Sequence, residues 1–125
     1  MARFGTAINC IDGRVQEPVR LWAAENFQLD YVDVVTEPGP DKALAHGPVA
    51  TIESIRSRVK ISIEAHRSNL IIIAGHHDCA ANPVCKEAHL DDIKTSLQVI
   101  RLWNFSTSVV GLWVDEQGRI EVIAG

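Results

Sequence analysis

Apolar and polar positions alternate in two rhythms along the chain. Short, mainly apolar runs fall at about Phe4–Cys10, Tyr31–Thr36, Leu70–Ala74 and Ser108–Asp115. Between them the apolar residues step by three and four, which is helical spacing. Val15, Val19, Trp22, Ala23 and Phe27 predict a first helix over about Val15–Phe27, with Pro18 tolerated in its first turn. Val49, Ile52, Ile55, Val59 and Ile63 predict a second over about Pro48–His66. Leu90, Ile93, Leu97, Ile100 and Trp103 predict a third, with Asn82 and Pro83 offering its N-cap and first helical position. "EPGP" (37–40) reads as a loop, and "RIEVIA" (119–124) as a final strand behind a Gln117-Gly118 turn.

The predicted order is β-α-β-α-β-α-β-β. Strands separated by helices imply crossovers and a parallel sheet covered on both faces. The fold class is therefore α/β: a three-layer α-β-α domain with a mostly parallel central sheet of order about 2-1-3-4. The last strand adds to it antiparallel. Leu70–Ala74 carries no polar residue, as expected of a strand buried on both sides. Residues 1–125 are expected to form one domain, without repeats or linkers.

Composition narrows the function classes. The chain is 46% hydrophobic and 22% charged with a net charge of −4, so it lacks the basic footprint of a nucleic-acid binder. No apolar run approaches the length of a membrane span. The start, "MARFGTAINC", reads as a strand rather than a signal peptide. Three scattered cysteines then read as reduced thiols, which predicts a cytoplasmic location.

Candidate chemistry collects where strands end. Cys10-Ile11-Asp12-Gly13-Arg14 follows the first strand, and Gly75-His76-His77-Asp78-Cys79-Ala80 follows the third. In an open α/β sheet, ligands bind beyond the carboxyl ends of the strands at a switch point, and order 2-1-3-4 brings these two ends together. Cys10, His76 and Cys79 then supply two thiolates and one imidazole. That set suits Zn2+ and leaves a fourth position open. Asp12 stands two residues from one ligand; it could accept a hydrogen bond from zinc-bound water or bind the metal itself. Arg14 could hold Asp12 bidentately and keep it off the metal.

"CIDGR" followed about sixty residues later by "GHHDCA" resembles the β-class carbonic anhydrases, whose signature is C-x-D-x-R and then H-x-x-C. The resemblance covers about residues 5–115 and is closest to a short subgroup of β-type carbonic anhydrases of this length. It implies zinc on Cys10, His76 and Cys79, and a catalytic dyad of Asp12 and Arg14. It also implies reversible hydration of carbon dioxide to bicarbonate by zinc-bound hydroxide. Three features depart from the family. The N-terminal helical arm that helps build the usual dimer is missing. No glutamine precedes Cys10, and "VVTEPGP" replaces an Asn-Ala-Gly loop. Hydrolysis of carbonyl sulfide or carbon disulfide, a non-catalytic zinc-binding module and a thiol redox protein stand as alternatives.

The remaining polar residues take lesser parts. His77 and Asp78 read as spacers, with Asp78 bonding local backbone amides. Glu37 is a candidate for lining the site from the loop after strand two. Cys85 reads as an incidental helix residue, and His46, His66 and His89 as solvated. Trp22, Trp103 and Trp113 match apolar stripes and are expected in core or subunit packing. A short chain with three tryptophans and a shallow strand-end site predicts a homodimer or higher homo-oligomer. No membrane or nucleic-acid partner is expected.

Overall fold

The computed structural model describes residues 1–125. Nine elements follow in order: β1 (Phe4–Asn9), α1 (Gly13–Phe27), β2 (Tyr31–Thr36), α2 (Pro40–His46), α3 (Val49–His66), β3 (Leu70–His76), α4 (Lys86–Arg101), β4 (Ser108–Val114) and β5 (Ile120–Ala124). They build one five-stranded sheet of order β2-β1-β3-β4-β5. β1 pairs in parallel with β2 and β3, and β3 with β4, while β5 runs antiparallel to β4. The α/β fold, the 2-1-3-4 core and the antiparallel last strand are as the apolar rhythm predicts.

Side chains of a strand point alternately to its two faces, so the run Leu70–Ala74 feeds two cores at once. Leu70, Ile72 and Ala74 join Val15, Val19 and Ala23 of α1 on one face. Ile71 and Ile73 join Leu44, Ile55, Val59, Ile93 and Leu97 of α2, α3 and α4 on the other. Ile71, Ile72 and Ile73 are fully buried; each such side chain contributes roughly 1.5–3 kcal/mol through loss of apolar surface to water.

Several boundaries differ from the sequence reading. Residues 40–46, of which only Pro40 belongs to the expected 37–40 loop, form a short helix that the apolar rhythm does not predict. Pro40 opens it with a pre-set φ and Asp41 sits in its first turn, but seven residues carry too little apolar periodicity to announce a helix. β3 runs two residues further, because Gly75 and His76 pair with Trp113 and Val114 of β4. Gly75 is there by necessity: a Cβ would come within 2.9 Å of Ile93 and 3.0 Å of Asp41. α1 starts at Gly13, so Pro18 lies inside it and the Arg14 carbonyl loses its usual helical donor.

α4 begins at Lys86, with Cys85 as its N-cap residue and no side-chain cap. Asn82 does not cap it; its side chain donates to Asp92 at 3.1 Å. Trp103 lies just beyond α4, half-buried against Phe105. Trp113 is buried and Trp22 half-buried.

Candidate metal centre

The site is assembled by the two strands at the sheet's switch point. β1 ends at Asn9, and the chain turns through Cys10 and Ile11 into α1. Asp12 is the N-cap of that helix, its Oδ1 accepting the backbone N–H of Arg14 at 2.9 Å. An aspartate here satisfies an otherwise orphaned amide, and the cap fixes the carboxylate two residues from Cys10. β3, next to β1, delivers His76 at its last position. A tight turn with Asp78 at φ 57° then brings Cys79 back toward Cys10.

Cys10, His76 and Cys79 are all buried and converge. One ligand atom from each lies within 4.8 Å of the others, and no other such group occurs in the chain. The two sulfurs are 4.0 Å apart. Tetrahedral zinc with bonds of about 2.3 Å to sulfur needs about 3.8 Å between them. His76 Nδ1 lies 2.7 Å from the carbonyl of His77. A carbonyl only accepts, so Nδ1 carries the proton and Nε2 keeps its lone pair. That Nε2 is buried and has no hydrogen-bond partner. An imidazole lone pair without a partner beside two thiols is a donor set that could hold a metal ion, with its outer hydrogen bond already made.

Burial pushes the Cys79 thiol up to about 11, and the nearby Cys10 sulfur adds to that; the amides of Ala81 and Asn82 pull the other way. Holding a metal as thiolate therefore requires the cation to displace a proton.

Arg14 holds Asp12 with two bonds, Nε to Oδ1 at 3.0 Å and Nη2 to Oδ2 at 2.7 Å. This guanidinium grip keeps the Asp12 carboxyl far below the usual carboxylate range, partly opposed by desolvation. Asp12 in turn raises the affinity of Arg14 for its proton. Nη2 of Arg14 also reaches the Asp78 carbonyl at 3.2 Å. A cavity of about 570 Å³ opens beside Arg14, His76 and Asp78, rimmed by Glu17, Asp115 and Glu116.

The candidate residues thus come together: Cys10, His76 and Cys79 in one cluster, Asp12 and Arg14 as an adjacent pair. Others do not join them. His77 is half-exposed, its Nδ1 3.6 Å from Glu116. Glu37 pairs with Arg58 at 2.8 Å and lines neither cavity at the cluster. Asp78 faces Arg14 rather than local amides. Cys85 is exposed beside α4 instead of lying within it.

His46 and His66 pair with Asp92 and Asp33 at the surface. His89, expected in solvent, is buried and bonded to Asp41. The signal for it was present, since His89 lies four residues before Ile93 on the buried stripe. Sequence reasoning also missed Gln16, which reaches back to the Cys10 loop. Its signal was faint: an amide four residues past an N-cap, one place beyond a capping box.

No curated protein matches the chain. Among solved structures, β-carbonic anhydrase isoform I from the protozoan Trichomonas vaginalis superposes with a TM-score of 0.60 at 16% identity, covering 96% of this chain and 82% of that one. A tetrameric β-carbonic anhydrase from the ascomycete Sordaria macrospora gives 0.55 at 12% identity, covering 100% and 82%. Such identities speak for the fold. A family model described as "Putative carbonic anhydrase" matches residues 1–124, and the chain therefore belongs to that carbonic anhydrase family and carries the β-class fold.

Proposed function

We propose that residues 1–125 act as one catalytic unit, a zinc-dependent carbonic anhydrase interconverting carbon dioxide and bicarbonate. The observation that carries this reading is the buried cluster of two thiols and an unpartnered imidazole nitrogen. Cys10, Cys79 and His76 Nε2 would hold the metal. Zinc held there supplies the Lewis acidity that makes water a nucleophile near neutral pH.

Each neighbouring residue has a task that its geometry supports. Two thiolates donate charge and weaken a metal's acidity, so a carboxylate beside the reacting water matters more here than in an all-imidazole site. Asp12 would accept a hydrogen bond from the reacting water and so orient it. It is not the proton store: a carboxylate gripped so firmly by Arg14 is a poor base. The proton released with bicarbonate passes to solvent through the open cavity. Arg14 keeps Asp12 ionised and off the metal. The carboxylates of Glu17, Asp115 and Glu116 at the rim favour departure of an anionic product.

We place the protein in the cytoplasm; no helix of the chain is long and apolar enough to cross a membrane. Assembly into a homo-oligomer is supported by the likeness to the tetrameric β-carbonic anhydrase of Sordaria macrospora.

Stopped-flow hydration of carbon dioxide by zinc-loaded protein tests the activity. The reading predicts a rate well above that of zinc in buffer; equality would overturn it. Turnover of carbonyl sulfide or carbon disulfide without carbon dioxide hydration would reassign the substrate.

A further inference from the structure

Gln16 lies in the second turn of α1, four residues past Asp12. Its Nε2 donates to two backbone carbonyls, Cys10 at 2.8 Å and Asp12 at 2.9 Å. Its Oε1 accepts from Asn9 Nδ2 at 3.0 Å. One side chain therefore grips three of the four residues from Asn9 to Asp12, the segment that carries a proposed zinc ligand and the proposed water-orienting carboxylate.

The orientation of this amide is dictated. Carbonyls only accept, so the nitrogen must face Cys10 and Asp12 and the oxygen must face Asn9. That fixes Asn9 as well, with Nδ2 toward Gln16. Its Oδ1 is then left buried without a partner. Turning Asn9 over would set oxygen against oxygen. Only two buried side-chain polar atoms in the chain lack a partner, Asn9 Oδ1 and His76 Nε2. Both side chains lie on the α1 face of neighbouring strands, where Asn9 meets Gln16 and His76 shares a cavity with Gly13, Arg14 and Val15. An unpaired buried acceptor destabilises a fold.

We infer that Gln16 is a positioning residue for the metal centre, setting the Cys10 sulfur and the Asp12 carboxylate relative to each other. It touches neither metal nor substrate. The inference rests on the reading of Cys10 as a zinc ligand.

The test is a cobalt(II) titration of the metal-free protein, following thiolate-to-cobalt absorption and the visible bands, for wild type, Gln16→Met and Gln16→Glu. Met fills the space and donates nothing; Glu keeps the shape and turns a donor into a repelling acceptor. The wild type is expected to bind one cobalt with thiolate absorption. Both variants are expected to bind about 10- to 100-fold more weakly, with altered visible bands. Variants that melt earlier but bind cobalt with unchanged affinity and bands would overturn the inference and leave the zinc reading intact. A wild type without thiolate-to-cobalt absorption would overturn both. Should neither variant fold, the wild-type Gln16 side-chain amide resonances decide: slow exchange and a shift on adding zinc support the inference, while resonances unmoved by zinc overturn it.

Discussion

Arg14, in the first turn of α1, donates to the backbone carbonyl of Asp78 at 3.2 Å while its other donors hold Asp12. One guanidinium thus ties the loop after β1 to the loop after β3. Asp78 stands between His76 and Cys79, so this contact ties the two halves of the cluster. The planar guanidinium fork holds the carboxylate with two parallel bonds while a further N–H serves the carbonyl; the ammonium of a lysine offers no such fork.

The ligand set predicts the outcome of removing a thiol. Cys10→Ser and Cys79→Ser should each lower zinc affinity by more than the ~10–100-fold typical of outer-shell partners. Competition with a chromophoric chelator measures this; affinity within tenfold of wild type in either variant would exclude that residue as a ligand.

Asp12→Asn should separate metal binding from turnover. Asparagine still caps α1, so zinc content and melting temperature should change little. The turnover rate should fall about a hundredfold, the scale on which misplacing a reacting group costs rate. Stopped-flow hydration beside zinc analysis checks both halves, and unchanged turnover would remove Asp12 from the chemistry.

Asp78 occupies a left-handed backbone conformation, at φ 57°. Glycine adopts it freely and a β-branched residue does not. Asp78→Gly should keep the carbonyl that Arg14 uses, and with it zinc binding and most turnover. Asp78→Val should cost about 1–2 kcal/mol in urea unfolding. Equal stability of the two variants would contradict the backbone argument.

The raised Cys79 thiol gives a signed pH dependence. Its pKa in the metal-free fold is about 11 against an ordinary 9.0, so the folded state holds its proton more tightly than the unfolded chain does. This contribution to stability is complete below pH 9 and is lost as pH rises through 11. Metal-free protein should therefore melt at falling temperature across that window. Zinc affinity should instead rise with pH toward the same window, because binding expels at least this proton. Melting curves and chelator competition over pH check the two opposite slopes.

Asp41 and His89 form a buried pair between α2 and α4, both about 1% exposed. Asp41→Ala leaves the imidazole buried without its partner and should destabilise the fold by about 3 kcal/mol. Urea unfolding of the metal-free protein measures it, and a loss under about 1 kcal/mol would show that the pair is not needed.

Much of this architecture was legible because apolar periodicity is set locally. β2 spans Tyr31–Thr36 both as read and as found, bounded by polar and proline-rich neighbours. The strand order brought Cys10 and His76 together before any distance was known. What stayed hidden depends on contacts between distant segments. β3 was read as ending at Ala74, since Gly75-His76 looks like a loop until β4 pairs with it. α2 is too short to show a face, and without it Asp41 had no reason to meet His89. The Gln16 grip and the Arg14–Asp78 contact are matters of three-dimensional reach, which residue spacing does not carry.

The central claim is that Cys10, Cys79 and His76 together hold zinc. X-ray absorption at the zinc edge of the loaded wild-type protein tests it most directly. The expected first shell holds two sulfurs at about 2.3 Å and one imidazole nitrogen at about 2.0–2.1 Å, with a lighter atom in the remaining position. A shell without sulfur, or with a single sulfur, would contradict it.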